Sequence, residues 1–223
     1  MQVLYEDNHL IVLNKAAGEI VQGDKTEDIP LSDQLKSYLK EKYQKPGNVF
    51  VGVVHRLDRP VSGVVLYAKT SKALSRLNTM FAQHDKVQKT YWAIVDHAPE
   101  EPSGRLTHWL TRDEKQNKAR AYDKEVPNSK KAILEYNLIG KSERYFLLEI
   151  RLLTGRHHQI RCQLAKIGCP IKGDLKYGAP RSNPDGSISL HARRIQLEHP
   201  VSHEQIDIVA PTPEDKLWAI ILR

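Results

Sequence analysis

The chain has 223 residues, 40% hydrophobic and 27% charged, which is enough for a sizeable core and ordinary for a globular protein. A formal net charge of +7 and a pI near 9.3 favour a polyanionic partner, nucleic acid first. No apolar run approaches a bilayer span, and MQVLYEDNHLIVLNK lacks the basic-then-apolar order of a signal peptide. The cytoplasm is therefore the expected compartment, and a membrane is not an expected partner.

Taken in order, residues 3–15 read as a strand pair, with Val3-Leu4-Tyr5 and Leu10-Ile11-Val12-Leu13 joined by a turn at Glu6-Asp7-Asn8. Leu31 to Tyr43 carries Leu31, Leu35, Tyr38 and Leu39 at helical spacing, predicting an amphipathic helix whose lysines form a solvated face and which Pro46-Gly47 ends. Two β-branched runs follow, Val49–Val54 and Val64–Ala68, each with the length and composition of a buried strand. Between them lies His55-Arg56-Leu57-Asp58-Arg59-Pro60. Pro60 cannot donate to a ladder and Ser62-Gly63 reads as a turn, so this polar segment is expected to be a loop. It sets one carboxylate, Asp58, between two guanidiniums, Arg56 and Arg59. From these residues alone a surface salt-bridge cluster and a scaffold-held catalytic loop both stand.

Ser71 is expected to cap a helix running to about His84, with Leu74, Leu77 and Phe81 on one face. Lys89–Val95 reads as a strand and His97–Gly104 as a loop. The segment Arg105–Lys131 is polar, weakly alternating and dense in Lys and Arg, the pattern of a hairpin that either reaches a phosphate backbone or is simply solvated. Ala132–Leu138 and Phe146–Leu152 alternate across Gly140–Arg144, an antiparallel hairpin. After Thr154-Gly155-Arg156, a helix is expected over His157–Lys166, with Ile160, Leu164 and Ile167 buried and Gly168 as its stop. His158 and Arg161 then share a different face, where an arginine can meet a neighbouring carboxylate in bidentate geometry. A Gly- and Pro-rich loop spans Pro170–Pro184, His191–Leu197 and Glu204–Val209 are late strands, and Glu214–Leu222 is a closing helix. Strands outnumber helices and several are joined directly. The expected fold is α+β, with a mixed, mainly antiparallel sheet flanked by helices, in a single domain over residues 1–223.

The chemistry-bearing residue types exclude several classes. Cys162 and Cys169 are the only cysteines and lie on or beside one helix, as reduced packing thiols would. The ten histidines show no H-E-x-x-H or Cys/His ligand spacing. On a helix, the adjacent His157 and His158 would diverge by about 100°, and His191 and His199, flanking a strand, read as packing or hydrogen-bonding residues. No metal site is predicted. No G-x-S-x-G, Walker-type or dinucleotide motif is present, which removes the usual signatures of acyl transfer, NTP use and nicotinamide chemistry.

Four segments, HRLDRPVSGVVLYAK, KTYWAIV, LLTGRHHQIRCQLAKIGCPIKGDLKYG and LHARRIQLEHP, occur in the order seen in RluA/RsuA-type pseudouridine synthases. The opening YEDNHLIVLNKAAG resembles that family's first strands, so the resemblance runs from about Leu4 to Pro200. It implies isomerisation of a uridine in ribosomal or transfer RNA without cofactor or metal: the uracil is detached, turned and rejoined through carbon. Asp58 stands at the family's catalytic aspartate, acting on the sugar either as nucleophile or as base. Tyr91 matches the tyrosine that stacks on the base and takes part in the final proton removal. Arg161 matches the arginine that pairs with the aspartate, and Arg56 the arginine that helps extrude the uridine. Two positions depart from the pattern: Val61 replaces a usual threonine and Ala16 a usual proline.

The match begins within a few residues of Met1, so no S4-like domain is expected ahead of the catalytic one. RNA selection is expected to rest on the domain's own loops, with Lys118 and Arg120 in the 105–131 segment as phosphate contacts. A monomer is the expected state. The competing classes are a non-catalytic RNA-binding or ribosome-assembly protein that keeps the fold, and a metal-dependent hydrolase, for which ligand spacing is lacking. No role is assigned to Arg59.

Overall fold

The computed structural model describes residues 1–83 and 85–222. Its backbone packing divides into two compact units, Met1–Val87 with Ala192–Pro211, and Gln88–His191 with Thr212–Arg223.

In the first unit, β1 (Gln2–Glu6) and β2 (Leu10–Lys15) make the expected antiparallel hairpin. Asp7 sets the turn, its Oδ1 accepting from the backbone N–H groups of His9 and Leu10, each at 2.7 Å. β2 pairs with β4 (Ser62–Ala68), on which β3 (Gly52–Val53) adds. β10 (Leu190–Glu198) lies beside β4, and β11 (Gln205–Val209) beside β10. Leu10, Val12, Val64 and Leu66 share one sheet face and pack with Ala73 and Leu77 of α2 (Ser71–Ala82) and with Ile195, Leu197, Ile206 and Ile208. The alternate residues Ile11, Leu13, Val65 and Tyr67 are equally buried, so the strands are covered on both faces and read as continuous apolar runs. α1 (Leu31–Lys42) buries Leu31, Leu35 and Leu39, while Lys42, on the exposed face, also reaches Glu6 at 2.7 Å.

The second unit holds the sheet β5-β9-β8-β6-β7: β5 (Val87–Val95), β6 (Ser103–Asp113), β7 (Lys118–Tyr122), β8 (Lys130–Lys141) and β9 (Phe146–Leu152), every pair antiparallel. α3 (Gln159–Lys166) covers one face, where Cys162 and Ala165 pack with Leu110, Ala119, Ala121 and Ala132. α4 (Lys216–Ile221) covers part of the other through Trp218 and Ile221 against Ile94 and Leu147. Both cysteines are buried free thiols. His191 packs edge-on to Trp218, and His199 Nδ1 accepts the backbone N–H groups of Val201 and Ser202 at 3.1 and 2.8 Å, so one serves packing and the other hydrogen bonding, as expected.

The α+β, mainly antiparallel architecture is as expected, with four local corrections. Of Val49–Val54 only Gly52–Val53 pairs, because only these two residues find a partner in β4, and Phe50 is exposed. Ser62-Gly63 is the start of β4 and not a turn. Gly63 has φ +113°, and a Cβ there would lie 2.3 Å from the Ala192 carbonyl oxygen, so glycine serves close strand approach. The cap of α2 is Thr70, whose hydroxyl accepts from the Ala73 N–H, and Ser71 is the first helical residue. The expected end of that helix at His84 lies outside the described residues. Finally, α3 starts at Gln159: His158 is its N-cap in the left-handed conformation (φ 51°), so His157 and His158 precede the helix. Their rings stack, with centroids 3.8 Å apart, instead of diverging. Among the described residues no helix is long and apolar enough to cross a membrane.

Candidate active site

In the first unit the loop between β3 and β4 is fixed at every turn. His55 stacks on Phe81, with centroids 5.1 Å apart, and its Nε2 accepts the Leu66 N–H at 3.0 Å, so Nδ1 carries the proton. Leu57 anchors the loop in the core. The Val61 N–H closes a turn onto the Asp58 carbonyl at 3.0 Å. Asp58 is half-buried and Arg56 is exposed. Val61, where the resemblance predicts threonine, is buried at 2% exposure and serves the loop through its backbone.

Lys15, at the end of β2, was not a predicted site residue, yet it organises this loop. Its side chain is 1% exposed, and its ammonium donates to the carbonyls of Ala16 (2.9 Å), Arg59 (3.0 Å) and Val61 (2.6 Å). The Arg59 carbonyl also accepts the Gly18 N–H at 2.8 Å. The segment after β2 and the Asp58 turn are thus joined through one buried cation. Burial pushes the Lys15 pKa down to about 8, opposed by the negative charges of Glu19 and Asp58 and reinforced by Arg59. Arg59 acquires a role as well. Its guanidinium binds Asp28 at 2.6 Å and Thr26 at 2.9 Å, with Asp24 at 3.8 Å, tying residues 24–28 to the turn.

In the second unit Tyr91 lies on β5 opposite Ile150 and is buried. Lys89, two residues earlier on the same face, has its proton affinity lowered by burial. The entry to α3 is built on the buried Gln159. Its Oε1 accepts from the Thr154 hydroxyl (2.8 Å) and the Arg156 N–H (3.0 Å), and its amide donates to the Ile133 carbonyl (3.0 Å). Arg161 is 5% exposed and makes a bidentate pair with Asp174, Nε to Oδ2 at 2.6 Å and a terminal nitrogen to Oδ1 at 2.8 Å. The pair explains how a guanidinium is buried in a helix that the apolar periodicity leaves open on that side.

Arg161 also lies over the Tyr177 ring, 5.1 Å from its centroid, and the Lys118 ammonium lies 5.3 Å from the same centroid. The Tyr177 hydroxyl accepts the Ala119 N–H at 2.8 Å and lies 2.8 Å from His158 Nδ1. Of the predicted site residues, Asp58 and Arg56 share the first unit's loop, and Arg161 and Lys118 gather around Tyr177 in the second. Arg120 is exposed on the sheet face away from α3, since its neighbours Ala119 and Ala121 pack beneath that helix. Asp174, Tyr177 and Lys15 were the residues sequence reasoning missed. Asp174 had one signal, an acid within a Gly-flanked turn of the quoted IKGDLKYG segment.

Residues 9–166 match the model of a family described as RNA pseudouridylate synthase. The chain is 32% identical over 225 residues to the ribosomal large subunit pseudouridine synthase D of Zymomonas mobilis subsp. mobilis, covering 96% of this chain and 70% of that one. It is 30% identical over 241 residues to the tRNA pseudouridine synthase C of Pectobacterium carotovorum subsp. carotovorum, covering 94% of this chain and 58% of that relative. The fold is similar to that of human RNA pseudouridylate synthase domain containing 4, with a TM-score of 0.78 at 24% identity over 96% of this chain and 89% of that one.

Proposed function

Because this chain belongs to the RNA pseudouridylate synthase family, and is by that membership an RNA-modifying isomerase, we propose that it converts particular uridines of ribosomal or transfer RNA to pseudouridine with Asp58 as the catalytic carboxylate. The observation that carries this reading is the Asp58 turn itself, a carboxylate on a loop whose backbone is held by a buried ammonium through three carbonyls.

In the proposed reaction the bond between the sugar anomeric carbon and uracil N1 breaks, the uracil turns, and a bond from C5 to the anomeric carbon replaces it. C5 then loses its proton and N1 gains one, so the product is an isomer and no electrons are exchanged with another reagent. Asp58 acts on the sugar, as nucleophile on the anomeric carbon or as base. Tyr91 stacks on the displaced base and assists the final proton removal. Arg161, its guanidinium held by Asp174, takes the part of the family's arginine that pairs with the catalytic carboxylate. Arg56 takes the extruded uridine's place in the stack, offsetting a flipping cost of a few kcal/mol. Lys118 and Arg120 contact phosphates, in keeping with the net charge of +7.

The proposal calls for no cofactor or metal, since every step is a proton transfer or a carbon–nitrogen exchange that carboxylate and phenol can serve. It also takes residues 1–223 as one catalytic domain, acting as a cytoplasmic monomer. The two relatives' names point to different RNAs, so the test offers both. Unmodified large-subunit ribosomal RNA and unmodified tRNA are incubated with the protein, and new pseudouridines are mapped by carbodiimide-dependent primer-extension stops. Stops at discrete uridines of one RNA are expected. RNA binding without any new stop would favour the non-catalytic RNA-binding reading.

A further inference from the structure

Strand alternation in the second unit leaves one sheet face pointing away from α3, and two of the rows of side chains that cross it carry its bases and aromatic rings together. One row runs Arg151–Glu135–Arg105 over β9, β8 and β6, and the other runs Lys131–Trp109–Tyr122 over β8, β6 and β7. His108 and Leu110 are buried on the α3 side, which directs Trp109 outward. The Lys131 ammonium lies over the Trp109 ring, 5.8 Å from its centroid. Arg105 and Arg151 are 58% and 55% exposed and share Glu135 at 3.8 and 3.9 Å. Three bases, two aromatic rings and a single acid thus occupy six positions, four residues apart along β6, or about 13 Å between rows.

A surface salt-bridge ladder would need acids to match its bases, and a protein-docking face would be more apolar at its centre. Aromatic plates set among basic side chains on an open sheet fit an RNA strand, whose unpaired bases stack on rings while its phosphates meet the cations. We infer that this outer face binds an unpaired segment of the RNA, with Trp109 and Tyr122 as stacking plates and Lys131, Arg105 and Arg151 as phosphate contacts. The inference rests on the proposed function for the identity of the polyanion, and it extends the RNA contacts well beyond Lys118 and Arg120.

The test uses a fluorescent, uridine-free RNA strand of about a dozen nucleotides, within the span a single-strand binding face covers. It offers no uridine to the catalytic loop, and its affinity is read by anisotropy between about 50 and 200 mM salt. The triple variant Arg105→Ala/Lys131→Ala/Arg151→Ala is expected to bind at least about ten-fold more weakly. Its log–log salt slope should be shallower by about 2, from roughly 0.7 per lost phosphate contact on a single strand. Trp109→Ala should weaken binding about five-fold or more, and Trp109→Phe should restore most of it, as a stacking role requires and a volume-filling role does not. A triple variant with wild-type affinity and slope, or a phenylalanine variant as weak as the alanine one, overturns the inference. Tritium release from uridine-containing RNA by the same proteins reads the catalytic proposal separately. A wild type that binds the probe but releases no tritium would sink that proposal and leave this face standing.

Discussion

The Lys15 ammonium holds the Val61 carbonyl at 2.6 Å, across 46 residues of sequence. Together with its bonds to Ala16 and Arg59, this contact turns a polar loop into a rigid mount for Asp58. Lys15→Met keeps the side-chain volume but leaves three carbonyls without their shared donor, each worth about 1–3 kcal/mol if left unsatisfied. Relief of the buried charge offsets part of that. The expected result in urea unfolding is a net loss of about 1–3 kcal/mol, with kcat/KM lowered ten-fold or more, about 1.4 kcal/mol of transition-state stabilisation. Unchanged kinetics in a folded Lys15→Met protein would show that the mount is dispensable.

The same residue predicts opposite pH trends for stability and activity. Its folded-state pKa is about 8 against an ordinary 10.5, with Glu19, Asp58 and Arg59 as the charged groups that act on it. Between these values the unfolded chain binds more protons, so this group's contribution to stability rises with pH. The charged clamp, however, is present below pH 8 and lost above it. Turnover should therefore fall on the alkaline side with an apparent pKa near 8, and Lys15→Arg, which stays charged, should remove that limb. A limb that persists unchanged in the arginine variant would assign it to another group.

Arg161 and Asp174 are a buried pair and should behave as one. Asp174→Asn removes one charge and strands the other, which costs about 3–5 kcal/mol. Chemical denaturation checks the magnitude. Arg161→Met/Asp174→Leu should recover most of the lost stability without recovering activity. A double variant no more stable than the single one would mean that the pair is not the cause.

Lys118→Ala/Arg120→Ala should weaken binding of the cognate RNA and lower its salt slope by about 0.7 per lost phosphate contact. The loss of both contacts predicts a slope shallower by about 1.4, since Arg120 is exposed and the Lys118 ammonium, over the Tyr177 ring, is only part-buried. Filter binding across a salt series measures it. No change in slope would remove this hairpin from the interface.

How much of this was legible in the sequence differs by element. The hairpins β1–β2 and β8–β9 were readable because alternation and turn residues are local signals. Val49–Val54 misled because β-branched composition says nothing about whether a partner strand exists, and only Gly52–Val53 has one. Ser62-Gly63 looked like a turn because glycine marks both turns and close backbone approaches, and only the Ala192 contact tells them apart. The start of α3 was missed because a left-handed histidine leaves no trace in hydrophobic periodicity. Asp58, Tyr91 and Arg161 stood out through the ordered motifs. Lys15 and Asp174 did not, since their roles depend on partners 46 and 13 residues away that no local pattern connects. Arg59 needed the fold as well, because its partners lie in residues 24–28.

The central claim is that Asp58 carries out the isomerisation, and the release of tritium from RNA labelled at uridine C5 measures it directly, since that hydrogen leaves when C5 becomes bonded to the sugar. Wild type and Asp58→Ala are compared on the RNA in which pseudouridines are mapped, with matched folding and matched RNA affinity as controls. The account predicts stoichiometric release by the wild type and none above background by the variant. Release at the wild-type rate from Asp58→Ala would contradict it.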